Sequence, residues 1–114
     1  MVGEDEALLR QEVVELTSFV QRDPAWAELR AAIVSKGLRI DDVFMAGFYE
    51  DEIGNEYGGL VTTAGEMFEF QRSSERGSQG FVSWERVADI DTFTESFPAA
   101  ATTLRMATGR RQQP

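Results

Sequence analysis

An α+β domain is the fold that this 114-residue chain predicts. Three observations predict it. Apolar residues recur at helical spacing before Gly37. Between Leu38 and Val87 the pattern turns to short strand-like runs, and short glycine-bearing loops join most of these runs. Sequential strands with short loops favour an antiparallel meander. The expected order is two N-terminal helices, a three- to four-stranded antiparallel meander, then one or two short C-terminal helices. Amphipathic helices must bury their stripes, so the helices are expected to cover one face of the sheet as a two-layer sandwich. Residues 1–109 are expected to form a single domain, with 110–114 as a flexible C-terminal tail.

Residues 5–22 predict the first helix. Leu9, Val13, Leu16 and Val20 recur at i, i+4, i+7 and i+11, with Leu8 and Phe19 widening the stripe. Glu4, Asp5 and Glu6 suit the positive end of the helix dipole. A second helix follows, with Asp23 as its cap, Pro24 in its first turn and Gly37 to close it left-handed. Trp26, Leu29 and Ile33 form its apolar face, and Leu38 is placed to pack back on its last turn.

Val43–Tyr49 predicts a strand that is apolar on both faces, with Gly47 marking a bulge or a close approach. Residues 50–58 predict a polar loop. Gly59–Thr63 and Glu66–Arg72 predict a hairpin around Ala64-Gly65, with either a two- or a three-residue turn. Phe68 and Phe70 share one face; Met67, Glu69 and Gln71 share the other. Residues 73–80 predict a polar loop, and Phe81–Val87 a fourth strand anchored by Trp84. Thr92 to Glu95 fits a capping box, so a short helix is expected to begin there. Pro98–Thr108 predicts the last helix, ended by Gly109.

Composition excludes several chemistries. Cysteine and histidine are both absent. Disulfides, thiolate or imidazole metal sites, and nucleophilic triads that need either residue are therefore ruled out. The N-terminal MVGEDEALLRQEVV has no signal-like apolar run, so a cytoplasmic location is expected. The formal charge of −9 disfavours direct binding to nucleic acid or to a membrane and favours basic partners.

That charge has an address. From Ile40 to Gln71 there are eight acids and no base: Asp41, Asp42, Glu50, Asp51, Glu52, Glu56, Glu66 and Glu69. The rest of the chain is nearly balanced. Tyr49 and Tyr57 flank the densest part, and tyrosine joins a large apolar body to a polar tip. These ten residues are the candidate partner-binding surface.

Other chemistry is weakly signalled. The spacing of Glu50, Glu52 and Gly54 fails the calcium-loop pattern, so no metal or cofactor is implied. Carboxylate pairs such as Glu52 and Glu56 or Glu66 and Glu69 occur in any acidic chain, so no catalytic residue is assigned and the chain is expected not to be an enzyme. The glycine clusters Gly54/Gly58/Gly59 and Gly77/Gly80 lack a phosphate-loop ending and are expected to serve turns.

The expected function is a small acidic protein-binding module that engages a basic partner surface through its 41–69 segment. In size, acidity and lack of cysteine the chain is similar to immunity or antitoxin proteins and to inhibitors that mimic nucleic-acid charge, an analogy of composition alone. The alternative expectation is a housekeeping subunit or a homo-oligomer such as a homodimer, in which the charge has no functional role; a carboxylate- or metal-dependent enzyme ranks below both. Neutralising Glu50, Asp51, Glu52 and Glu56 is expected to leave the fold intact, since exposed loop charges add little stability.

Overall fold

The computed structural model describes residues 2–72 and 82–112. Helix α1 spans Val2–Arg22. A 3-10 turn at Pro24–Trp26 leads into α2, Ala27–Ser35. A second 3-10 turn, Ile40–Asp42, precedes β1, Val43–Glu50. Strands β2 (Glu56–Thr62), β3 (Met67–Arg72) and β4 (Val82–Val87) follow, then α3 (Ile90–Ser96) and α4 (Ala100–Gln112). The four strands form one antiparallel sheet in the order β1-β2-β3-β4. The α+β class and the meander agree with the sequence. The expected loop 73–80, with Gly77 and Gly80, and the Trp84 anchor lie outside the described residues or side chains.

The two-layer expectation is corrected to helices on both faces. One face carries Phe44, Ala46, Val61 and Met67 against Phe93 and Phe97 of the α3 region and Ala100 and Ala107 of α4. The other carries Val43, Met45, Leu60 and Phe70 against Trp26, Leu29 and Ile33. The physical reason is that neighbouring residues of β1 and β2 are both apolar, so each sheet face needs its own cover.

Helix α1 lies along the β1 edge and feeds both cores, Val13 into one and Val20 into the other. An edge strand exposes unpaired backbone groups. Here the Met45 N–H donates to the buried Thr17 Oγ1 at 2.9 Å. This edge-on placement buries a narrow stripe, so Leu8 and Phe19 remain 65% and 50% exposed rather than widening it.

Helix α2 ends as its sequence suggests. Gly37 has φ +81°, its N–H donates to Val34 O, and Leu38 N–H donates to Ile33 O. Leu38 packs into the same core as Ile33. These are the paired bonds and apolar contact of a Schellman motif. Arg30 Nη1 donates to both Val20 O and Asp23 O at 2.8 Å, which ties α2 to the end of α1.

Two hairpins share one turn design. Thr62 N–H donates to Glu66 O and Gly65 N–H to Thr62 O, so the β2–β3 loop is the three-residue alternative. Asp51 N–H donates to Asn55 O and Gly54 N–H to Asp51 O in the β1–β2 loop. Gly65 and Gly54 have φ of +85° and +89°, which a Cβ would strain. The side chains of Thr62 and Asp51 both accept from the backbone four residues on. The expected 50–58 loop thus shrinks, and β2 begins at Glu56 rather than Gly59.

The C-terminal boundaries also move. Asp89, not Thr92, caps α3: its carboxylate accepts from Asp91 N–H and from the Thr92 hydroxyl, both at 3.0 Å. Starting α3 at Ile90 lets Phe93 reach the core, where it is fully buried. Pro98 and Ala99 form a turn, and α4 starts at Ala100. Gly109 does not stop α4, which carries on to Gln112 through residues expected in the tail. Gly109 is absent from the left-handed glycines, and ordinary helical backbone needs no break there.

Candidate functional site

The β1–β2 hairpin positions the site. Asp51 organises its tip: Oδ1 accepts from Ile53 N–H and Asn55 N–H, and Oδ2 from the Asn55 side-chain amide and the Tyr57 hydroxyl. Burial alone would push the Asp51 carboxyl up, but the bonds from Asn55, Tyr57 and Ile53 outweigh it and hold the pKa below the usual aspartate value. Loss of solvent around Tyr57, followed by its bond to Asp51 and the Asp51 charge, pushes that phenol above the usual tyrosine value.

Tyr49 and Tyr57 are directly opposite across β1 and β2. Their rings stack at 5.0 Å with 19° between planes. Phe97 lies 6.0 Å from Tyr49. Gly58 and Gly59 are what let these aromatics approach the sheet. A Cβ on Gly59 would lie 2.6 Å from the Phe97 ring, and one on Gly58 would lie within 2.2 Å of the Phe70 ring on the other face. These two glycines are strand residues that seat rings, which corrects their expected turn role.

Next to the tyrosines, Glu69 of β3 and Glu85 of β4 are direct cross-strand partners. Tyr49, Tyr57, Glu69, Gln71, Glu85 and Phe97 line an open cavity of about 530 Å³ together with Gly58 and Phe70. A smaller cavity of about 220 Å³ adjoins it, sharing Tyr49 and Phe97 and adding Glu12 of α1. Among the described residues, no lysine or arginine lines either cavity. Among the described residues, Glu69 and Glu85 have no salt-bridge partner.

The opposite face treats its carboxylates differently. Glu56 pairs bidentately with Arg72 Nη2 at 2.6 and 2.7 Å, and the Arg72 guanidinium sits 4.6 Å from the Trp26 ring centroid. Glu66 lies 3.7 Å from Arg86 Nη2.

The ten expected residues therefore do not form one surface. Tyr49, Tyr57 and Glu69 meet at the cavity. Glu50, opposite Glu56 and so on the other face, and Glu52 stay exposed at the hairpin tip, with Asp51 turned to structural use. Glu56 is committed to Arg72 on the other face. Asp41, Asp42 and Glu66 lie at the far end of the strands, where Thr63 N–H donates to Asp42 O. Eight residues of β1 separate the two ends, roughly 23 Å at ~3.3 Å per step. Neutralising Asp51 and Glu56 would thus remove structural bonds, contrary to the expected tolerance of the loop.

Sequence reasoning missed Gln71, Glu85, Phe97 and Glu12 as cavity residues. Gln71 shares a β3 face with Glu69, which was legible. The facing of Glu85 and Glu69 needed the β3–β4 register, which residues 73–80 leave open. Among the described residues, no three carboxylates gather as a metal cluster, and no helix is long and apolar enough to cross a membrane. Compared with known families, curated proteins and solved structures, the chain matches none.

Proposed function

We propose that this chain is a protein-binding module that engages a basic partner through the tyrosine–carboxylate face of its sheet. One observation carries the reading. Glu69 and Glu85 oppose each other beside stacked tyrosines with no base of the described residues between them, while Glu56 and Glu66 on the opposite face each meet an arginine. Like charges directly across a sheet are destabilising. A cationic partner relieves that repulsion, and Glu50 and Glu52, exposed at the hairpin tip though Glu50 points to the other face, add to the long-range field that steers it. Tyr49, 47% exposed, supplies contact area that excludes water once covered.

The sign of the charge argues for a protein partner over nucleic acid or an anionic membrane. The reading is of a binding protein, not an enzyme, acting in the cytoplasm. An inhibitor that masks a cationic site, of the immunity, antitoxin or charge-mimic kind, is the form that the composition fits best.

A tagged pull-down at low and high salt tests it, with captured proteins identified by mass spectrometry. Wild type is compared with Glu50→Gln/Glu52→Gln/Glu69→Gln/Glu85→Gln and with Asp41→Asn/Asp42→Asn. A basic protein held by wild type and by the Asp41/Asp42 variant, shed by salt and missed by the four-site variant, supports the reading. Capture that ignores both salt and the four substitutions contradicts it.

A further inference from the structure

We infer that the larger cavity is a seat for an arginine side chain presented by the partner, an inference that rests on the proposed basic-partner reading. The fold holds an internal precedent. On the opposite face Arg72 lies over the Trp26 ring and forks to Glu56 through two bonds. Aromatic surface plus a carboxylate is the environment that suits a planar guanidinium.

The cavity offers the same two components with no arginine of the described chain in it. The stacked Tyr49 and Tyr57 rings supply aromatic surface to the cavity. Glu69 and Glu85 stand in the next row of the same sheet face, with backbones about 5 Å apart as opposed strand residues are. A guanidinium has several N–H donors fixed in one plane and can bond both carboxylates at once. An ammonium is a compact point charge that gains less from a ring face and a paired acceptor. Arg72 and Arg86 cannot serve here, since they pair with Glu56 and Glu66 on the other side of the sheet. The adjoining cavity at Glu12, across Tyr49, leaves room for a neighbouring side chain of the same segment.

Amide NMR titration of the full chain tests this with three peptides, one of alternating arginine and glycine and its lysine and citrulline counterparts. The arginine peptide is expected to shift Gly58, Glu69 and Gln71 amides and to bind about five- to tenfold tighter than the lysine peptide. The citrulline peptide, which is uncharged, is expected not to bind. Glu69→Gln/Glu85→Gln is expected to abolish the arginine preference while thermal unfolding shows the variant folded. Equal affinity for arginine and lysine overturns the arginine seat and leaves the basic-partner reading standing. Binding that survives the double substitution overturns the site. No response to either cationic peptide overturns both inferences. Shifts of the same amides on Arg76→Gln, with no response to any peptide, would give the seat to this chain's own Arg76 and also overturn it.

Discussion

The hydroxyl of Tyr57 donates to Asp51 Oδ2 at 3.1 Å, which couples the second strand of the hairpin to the turn that precedes it. Asp51 is the residue that makes this turn: four donors converge on its carboxylate. An acid at the centre of the charged segment thus serves the scaffold on which the site rests.

Asp51 gives a pH prediction. Its folded pKa lies below the unfolded value, so its contribution is complete above the unfolded carboxylate range and is lost as pH falls through the folded value. Urea unfolding across acid pH should show wild type losing more stability than Asp51→Asn. Parallel curves for the two proteins would remove Asp51 as the cause.

Tyr57 titrates in the opposite sense. Its folded pKa lies above the unfolded value, so the folded state holds the proton longer and this contribution is lost as pH rises through the folded value. In Tyr49→Phe, where Tyr57 is the remaining tyrosine, phenolate absorbance should rise above the ordinary tyrosine range. Adding Asp51→Asn should move it back down.

Phe70 is the aromatic anchor of β3, since it is 2% exposed and meets Trp26 edge-on at 6.0 Å. Phe70→Ala should cost ~3–5 kcal/mol in chemical denaturation. Phe68 shares its sheet face but is half-buried, so Phe68→Ala should cost clearly less. Gly58→Ala should cost about 1–3 kcal/mol, because its methyl would collide with the Phe70 ring.

Arg72 closes the α2-side core by lying between the Trp26 ring and Glu56. Arg72→Ala should cost about 1–3 kcal/mol, through a lost charge-assisted bond and lost ring contact. Arg72→Lys should recover little of it, since an ammonium cannot keep both contacts. Full rescue by lysine in the same denaturation assay would refute the packed-guanidinium account.

Much of the scaffold was legible in the residues, and the misses have physical causes. Gly37 and Leu38 announced the end of α2 because that motif is local. Strand β1 announced the double cover, since Val43, Phe44, Met45 and Ala46 leave no polar face. The two-layer reading discounted this and let helices 1 and 2 share one face. The Asp51-Glu52-Ile53-Gly54-Asn55 turn resembles Thr62-Thr63-Ala64-Gly65-Glu66 in the place of its oxygen acceptor and its glycine. The dense charge made it read as an open loop.

The site was less legible, because it depends on register. Charge counting could find Glu69, but which acids keep an arginine partner is settled across strands. Glu56 reaches Arg72 and Glu66 reaches Arg86 only because β2, β3 and β4 align as they do. Phe97 arrives from a C-terminal segment with no helical or strand period to mark it.

Among the described residues Glu69 and Glu85 face each other without a basic partner, and the proposed cationic partner would relieve the repulsion between them. The direct measurement is a double-mutant cycle in thermal and urea unfolding at low salt, with Glu69→Gln, Glu85→Gln and both. Each single substitution should stabilise the free protein by ~0.2–1 kcal/mol, the second should add little, and salt should shrink the gains. Destabilisation by both single substitutions would mean that the two carboxylates are already paired within the fold, and would contradict the account.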